Sequence, residues 1–294
     1  MFYRRKIILG LIELLGGEVE KIRFQKLLFL YAMKKQKPEY DFVPYKFGCY
    51  SYSAKADMNT MVKKGYLSET ENKYIKADTS NYFKELKSTD SQILLQVVSD
   101  YGGMSSNALI KHTYLNFPFY AIRSTIAKDV LPDQLYERVE KATPKDEETI
   151  MFTIGYEGSS LEMYLQKLLK NNVKLLVDVR KNPLSMKFGF SKSLLKNYCN
   201  SLGIEYLHIP EVGINSNKRQ HLRTQDDYDR LFADYCSTTL LETTHSQKQI
   251  LDLLKEYRRI ALTCFEEKSC QCHRSHLAAS ISKLPEFQYS LIHL

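Results

Sequence analysis

The stretch Arg259-Ile-Ala-Leu-Thr-Cys264-Phe-Glu266-Glu-Lys-Ser-Cys270-Gln-Cys272-His273-Arg274-Ser-His276-Leu-Ala-Ala-Ser280 decides how the chain is read. Its apolar start, Ile260 to Thr263, reads as a buried strand, and Leu277 to Ile281 read as the apolar side of a helix. The reactive residues between them therefore occupy the turn at a strand's carboxyl end. In open α/β sheets ligands bind at such crevices, and the helix amino terminus that follows favours an anion. Three cysteines, two histidines, an arginine and two glutamates within thirteen residues are too dense for an ordinary connection.

Working outward, Met151-Phe-Thr-Ile-Gly-Tyr156-Glu157-Gly158 reads as a buried strand breaking into a glycine turn, followed by helical spacing over 161–169. Val173-Lys-Leu-Leu-Val-Asp178-Val-Arg180 is a second strand, stopped by Pro183. Leu194 to Leu202 predict a helix, 204–209 a third strand, 228–241 and 247–257 further helices, and Tyr289 to His293 a last strand. Strands alternating with helices predict an α/β domain over 150–294 with a mainly parallel sheet and right-handed crossovers. Parallel strands point their carboxyl ends to one rim. Tyr156 and Glu157, Asp178 and Arg180, and Cys264, Glu266, His273 and Arg274 should therefore converge, although they are more than a hundred residues apart in the chain. Singly, each has an ordinary reading: Asp178 and Arg180 as an ion pair, Glu157 as a helix cap. Together they predict a ligand or catalytic site.

Residues 1–130 read as a helical module. Ile7, Ile8, Leu11, Ile12 and Leu15 recur at helical spacing before Gly16-Gly17, and Ile22 to Tyr31 give a second amphipathic helix. A glycine and aromatic-rich turn, Phe42 to Ser53, leads into a helix over 54–64 and an alternating segment to Ile75 that suits a β-wing. This is the outline of a winged-helix-like module. Residues 131–149 read as a polar helix and linker, with the boundary near Pro144.

The 294 residues suffice for two cores, and 44% hydrophobic content with 21 Tyr and 14 Phe argues against disorder. The net charge of +8 is unevenly spread: residues 1–64 hold 13 Lys/Arg against 6 Asp/Glu, while residues 65–149 hold 10 against 13. A basic amino end fits nucleic acid, a nucleotide or an acidic protein partner as readily as a solvated lysine surface. Arg4-Arg5-Lys6 and the short apolar run behind it do not read as a signal peptide, and no stretch approaches a membrane span. Six cysteines, three of them crowded, do not resemble a secreted disulfide framework, so a reducing cytoplasm is the expected location.

Two family resemblances follow from these motifs. Lys26-Leu-Leu-Phe-Leu-Tyr31, Tyr45-Lys-Phe-Gly48-Cys-Tyr50-Ser51 and Leu67-Ser resemble the Panacea antitoxin domain, domain of unknown function 4065, with Cys49 where that family has proline. This resemblance implies a helical module that antagonises toxins or adapts partners, without catalysis of its own. Thr153-Ile-Gly-Tyr-Glu-Gly, Leu176-Val-Asp-Val-Arg-x-x-Pro-x-Ser185, and Cys264-x-Glu266 leading to Cys272-His-Arg274 resemble domain of unknown function 488, over 150–294. That resemblance marks site positions and implies no particular reaction.

Three chemistries remain open. In the first, Cys264 is a thiolate nucleophile, His273 or Glu266 moves protons, and Arg180 with Arg274 holds a phosphate; Ser185 and Cys272 join them as candidate ligand contacts. In the second, zinc is bound by Cys264, Cys270, Cys272 and His273 or His276. That reading is disfavoured because neighbouring Cys272 and His273 would strain to face one ion, and no cofactor is expected. In the third, Glu157, Asp178 or Glu266 is the base of a glycosidase-like or other hydrolytic reaction on a nucleotide or nucleic acid, with Tyr156 beside them. Lys181, Lys187, Lys192, Lys196, Lys218, Arg219 and Arg223, interleaved with Phe188, Phe190 and Tyr198, would then form a backbone-binding and stacking surface beside the rim. The resulting expectation is a nucleic-acid or nucleotide-directed effector of a prokaryotic defence or toxin–antitoxin system. The alternative is a non-enzymatic sensor or adaptor of a nucleotide, modified DNA or a partner protein.

Overall fold

The computed structural model describes residues 1–219, 222 and 224–294, with only the backbone described for Ser216, Arg219 and Ser269. The described chain divides into two units, Met1–Thr143 and Pro144–Leu294.

The first unit is mainly helical: α1 (Tyr3–Leu14), α2 (Lys21–Met33), α3 (Tyr52–Lys63), α4 (Ser88–Tyr101), α5 (Ser106–Asn116), α6 (Ala127–Val130) and α7 (Asp133–Ala142). Three short strands, β1 (Glu18–Glu20), β4 (Leu67–Glu69) and β5 (Lys73–Lys76), pair antiparallel in the order β1-β5-β4. β2 (Val43–Tyr45) and β3 (Gly48–Tyr50) form a separate hairpin. Helix α1 stops where the glycine pair predicts, because Gly16 and Gly17 both adopt positive φ. Gly48, at φ +93°, is required twice over: a Cβ there would lie 2.5 Å from the Tyr114 ring. Ser51 caps α3 by accepting from the Ala54 amide at 3.2 Å. Helix α7, expected in the linker, packs Val139 with Ile110, Tyr114 and Leu131 and so belongs to this unit.

Much of the amino-terminal charge is used internally. Asp57 takes Arg4 at 2.6 Å and Arg5 at 2.7 Å, Glu69 takes Lys21 and Lys55, and Lys35 reaches Asp90 and Glu39. The basic excess of residues 1–64 is thus partly neutralised within the fold.

The second unit carries the sheet. Its strands are β6 (Ile150–Gly155), β7 (Leu175–Asp178), β8 (Glu205–His208), β9 (Arg259–Cys264) and β10 (Ser290–His293), all parallel, in the order β10-β6-β9-β7-β8. Every residue of β6, β7 and β9 is buried, as the unbroken apolar runs predict for a sheet covered on both faces. The helices are α8 (Leu161–Lys170), α9 (Lys192–Ser201), α10 (Gln225–Ser237), α11 (Thr239–Glu242), α12 (Thr244–Tyr257) and α13 (His273–Ile281). Thr224 and Asp227 form a capping box at α10. The single helix expected over 228–241 is broken at Thr238, whose φ of −120° and ψ of −82° separate α10 from α11. None of the described helices is long and apolar enough to cross a membrane.

Register completes the placement of the rim. Gly155 pairs with Cys264, and Thr263 with Asp178, so the three central strands end side by side. Gly155 also admits the loop after β9, since any Cβ there would collide with the Glu266 carbonyl. Gly155→Ala is expected to destabilise the second unit by about 3 kcal/mol and to speed hydrogen exchange of β6 and β9 amides. Unaltered exchange would show that the loop yields freely.

Candidate functional site

Beyond their last residues, β6, β9 and β7 border a cavity of about 290 Å³ lined by polar Tyr156, Lys181, Ser185, Cys264 and His273 together with Leu184, Met186 and Phe265. The last three are 77%, 103% and 43% exposed, so apolar surface is open to solvent at the cavity. Most of the residues expected to converge fall into two groups with different work, while Glu157 and Arg274 hold the loops around them.

The first group is a buried brace. Asp178 is fully buried and receives Arg180 through both carboxylate oxygens, Nε at 2.8 Å and Nη2 at 2.5 Å. Nη1 of Arg180 donates to Tyr156 Oη at 2.8 Å and to the Phe190 carbonyl at 2.9 Å. The Tyr206 hydroxyl completes Asp178 at 2.6 Å. Burial works against the Arg180 charge, yet the Asp178 carboxylate more than offsets it and raises the guanidinium pKa. Burial, reinforced by the Asp178 charge, pushes the Tyr206 hydroxyl far up. Tyr156 stacks on Phe190 with ring centroids 4.2 Å apart and planes at 10°. Arg180, grouped above as a phosphate contact, and Asp178, grouped as a base, are thus committed to each other. Phe190 is fully buried in this stack, so it does not belong to an exposed stacking surface.

The second group is the thiol centre. Cys264 Sγ lies 3.4 Å from His273 Nδ1 and 3.2 Å from Glu266 Oε2. His273 Nε2 lies 3.0 Å from the Val179 carbonyl, which can only accept. That bond assigns the proton to Nε2 and leaves Nδ1 an acceptor facing the thiol. Cys272 is buried and hydrogen bonds with Cys264; burial pushes its thiol well above the usual range, while the Arg274 charge acts the other way. The ligand atoms of Cys264, Cys272 and His273 all lie within 4.8 Å of one another, so adjacent Cys272 and His273 do face one point, against the expectation from their spacing. They do so because the helix starts earlier than its apolar face indicates. Cys272 is the extended N-cap of α13 and His273 its first residue, so a change of backbone conformation separates the two. Cys270 is exposed, and His276 Nδ1 lies 3.9 Å from Cys236.

The remaining candidates frame the loops. Arg274 donates to the carbonyls of Glu266 and Glu267, the latter at 2.9 Å, and so ties down the loop after β9. Glu157 is exposed and accepts the Glu267 amide at 3.1 Å, joining the loops after β6 and β9. Ser185 accepts the Lys187 amide at 3.2 Å, and Lys187 Nζ donates to the Tyr156 carbonyl at 2.6 Å. Burial lowers the Lys187 pKa although Glu157 and Glu267 oppose this. Lys192 contacts His208, and Lys218 pairs with Asp234. Arg223 and the Arg219 side chain lie outside the described residues. Sequence reasoning missed Tyr206, whose only signal was its place on the third strand, and the Val179 carbonyl, which has no side-chain signal.

Residues 160–281 match a family model described as Domain of unknown function DUF488. The match takes in Asp178, Arg180, Ser185 and the whole thiol centre, and stops short of Tyr156 and Glu157. No curated protein matches the chain.

Replacing Asp178 leaves a buried guanidinium without its carboxylate, which typically costs about 3–5 kcal/mol. Asp178→Asn is therefore expected to lower the urea midpoint of the second unit sharply. A variant as stable as the parent would show that Tyr156 and the Phe190 carbonyl suffice to hold Arg180.

Proposed function

We propose that the second unit is a cysteine-dependent hydrolase acting on a nucleotide or the end of a nucleic acid, with Cys264 as nucleophile and His273 as proton carrier. The observation that carries this reading is the 3.4 Å contact from Cys264 Sγ to a His273 nitrogen whose partner nitrogen is held by the Val179 carbonyl. It is the arrangement of an activated nucleophile: a thiol, a base within reach and a third group orienting the base. As Sγ attacks an electrophilic carbon or phosphorus, its proton passes to Nδ1. The same proton then leaves with the departing group. Water, deprotonated by the imidazole, releases the second product and restores the thiol.

The carboxylate alternative has less support, because Asp178 is committed to Arg180, Glu157 accepts the Glu267 amide, Glu266 is engaged by Cys264 Sγ, and none of the three lines the cavity. Lys181 and Asn182 in the cavity lining suit an anionic group, while Phe265, Leu184 and Met186 suit a base or another flat apolar moiety. A cavity of about 290 Å³ stands at the small end of ligand pockets, which run from about 300 to 1,000 Å³. That size suits one nucleotide better than a duplex.

The wider reading, an effector of a prokaryotic defence or toxin–antitoxin type system, rests on the Panacea-like motifs of the first unit. There, Gly48 turns the hairpin and Lys26, buried, donates to the Cys49 carbonyl at 3.0 Å, which gives the Lys26 and Gly48 motif positions a shared physical purpose. The winged-helix-like outline of that unit is supported by three helices followed by the β4-β5 pair. In this reading the first unit recognises a nucleic acid or protein partner and the second performs the chemistry.

The test is incubation of the full chain with nucleoside mono-, di- and triphosphates, dinucleotides and short single-stranded RNA and DNA. Turnover is expected to vanish in Cys264→Ala and to fall by about 10²–10⁴-fold in His273→Asn. In parallel, iodoacetamide should alkylate Cys264 at least about tenfold more slowly in His273→Asn, with exposed Cys270 and Cys236 unaffected. Turnover that survives in Cys264→Ala sinks the mechanism, and ligand binding without turnover supports the sensor or adaptor instead.

A further inference from the structure

The contact between Cys264 and His273 leaves Cys272 without a part in it. Cys272 is fully buried, hydrogen bonds with Cys264, and stands at the N-cap of α13. A structural cysteine would sit among apolar atoms, whereas this one points its sulfur at two other electron-pair donors. All three ligand atoms lie within 4.8 Å of one another.

The spacing is that of a cation site. Bonds of about 2.3 Å to sulfur and 2.0–2.1 Å to nitrogen place neighbouring tetrahedral ligands about 3.6–3.8 Å apart. Cys264 Sγ and His273 Nδ1 stand at 3.4 Å, so closure on an ion needs side-chain shifts on the order of 1 Å or less. Two features around the set agree. The donation from His273 Nε2 to the Val179 carbonyl is the outer bond that orients a ligating imidazole and directs its other nitrogen to the metal. Arg274, 1% exposed and bonded to two loop carbonyls, sets a positive charge beside a centre that would contain two thiolates.

We propose that Cys264, Cys272 and His273 bind a thiophilic divalent cation of the zinc class. Glu266, whose Oε2 is 3.2 Å from Cys264 Sγ, is a candidate fourth donor after a side-chain shift, and water from the cavity is the other. Two thiolates and an imidazole select zinc or cobalt over magnesium or calcium. Binding displaces the thiol protons of Cys264 and Cys272 to solvent. It also engages the Cys264 lone pair, so the loaded site is silent toward thiol chemistry. The inference uses side chains of the enzymatic reading but does not depend on turnover.

The full chain, reduced and stripped with a chelator, is titrated with Co²⁺. One equivalent is expected to bind with the sulfur-to-cobalt charge-transfer band and the intense visible bands of tetrahedral thiolate ligation, and Zn²⁺ should bleach them. Cys272→Ala and His273→Ala should each weaken binding by at least about tenfold, while Cys270→Ala and Cys236→Ala leave it unchanged. Because a buried variant can fail to fold, the unmodified chain supplies a second readout. Zn²⁺ should slow iodoacetamide labelling of Cys264 and Cys272 by at least about tenfold and leave Cys270 and Cys236 as they were. Absence of a charge-transfer band, its loss on Cys270→Ala, or labelling of Cys264 indifferent to Zn²⁺ overturns the proposal. Labelling of Cys264 in the metal-free chain separately tests its reactivity, so failure of the metal site and failure of the nucleophile are distinguished.

Discussion

One guanidinium holds the rim together. Arg180 reaches Asp178 on β7, Tyr156 beyond β6 and the Phe190 carbonyl in the loop after β7, while Tyr206 of β8 reaches the same carboxylate. Two strand ends, the body of β8 and a loop are thus tied to one buried ion pair, whose side chains are 6% and 0% exposed. Such a pair is weak evidence for stability, since desolvating both charges costs about as much as their attraction returns. What it supplies is position. A bidentate, planar contact fixes angles as well as distance, and Phe190, stacked on Tyr156, backs the ring that lines the neighbouring cavity.

The thiol centre inherits this rigidity through the backbone. Val179 lies between Asp178 and Arg180, and its carbonyl accepts His273 Nε2. Side chains on both sides of Val179 are locked, so its carbonyl direction is locked as well. The brace therefore acts on the chemistry at one remove, by selecting which imidazole nitrogen faces Cys264. Arg274 and Glu157 do similar work on the opposite loop: one anchors the Glu266 and Glu267 carbonyls and the other the Glu267 amide.

The parallel sheet was legible because burial on both faces leaves unbroken apolar runs, and the β9 bounds follow directly from Arg259 to Cys264. Convergence of the strand ends followed from parallel topology alone. The division of labour at the rim was not legible, since an Asp and an Arg two residues apart read equally as a ligand clamp or as partners. Only burial and bidentate geometry separate those readings. Phe190 misled for a related reason, because a phenylalanine between lysines looks exposed until Gly189, at φ +87°, turns the chain inward. The start of α13 was hidden by polarity: His273 and Arg274 are buried on a helix whose apolar face begins only at Leu277. How much of the amino-end charge is paired internally was not legible, since composition counts lysines and arginines without their intramolecular acids.

These observations bear on why a site of this kind needs a buried second cysteine at all. A thiol and an imidazole suffice for a nucleophile, and Glu266 already lies within reach of the same sulfur. Adding Cys272 places a second thiol, held up by burial, against the first. In the proton-loaded state the thiol protons are shared among two sulfurs, one ring nitrogen and one carboxylate, each competing to accept. In the proposed metal-bound state a divalent cation would satisfy those lone pairs at once and, with Arg274 alongside, leave the local charge close to balanced. On these two proposals the same geometry would serve two alternatives, a hydrogen-bonded thiol beside a base and a metal-held thiolate. The energetic gap between them is governed by proton and metal availability more than by any rearrangement of the fold.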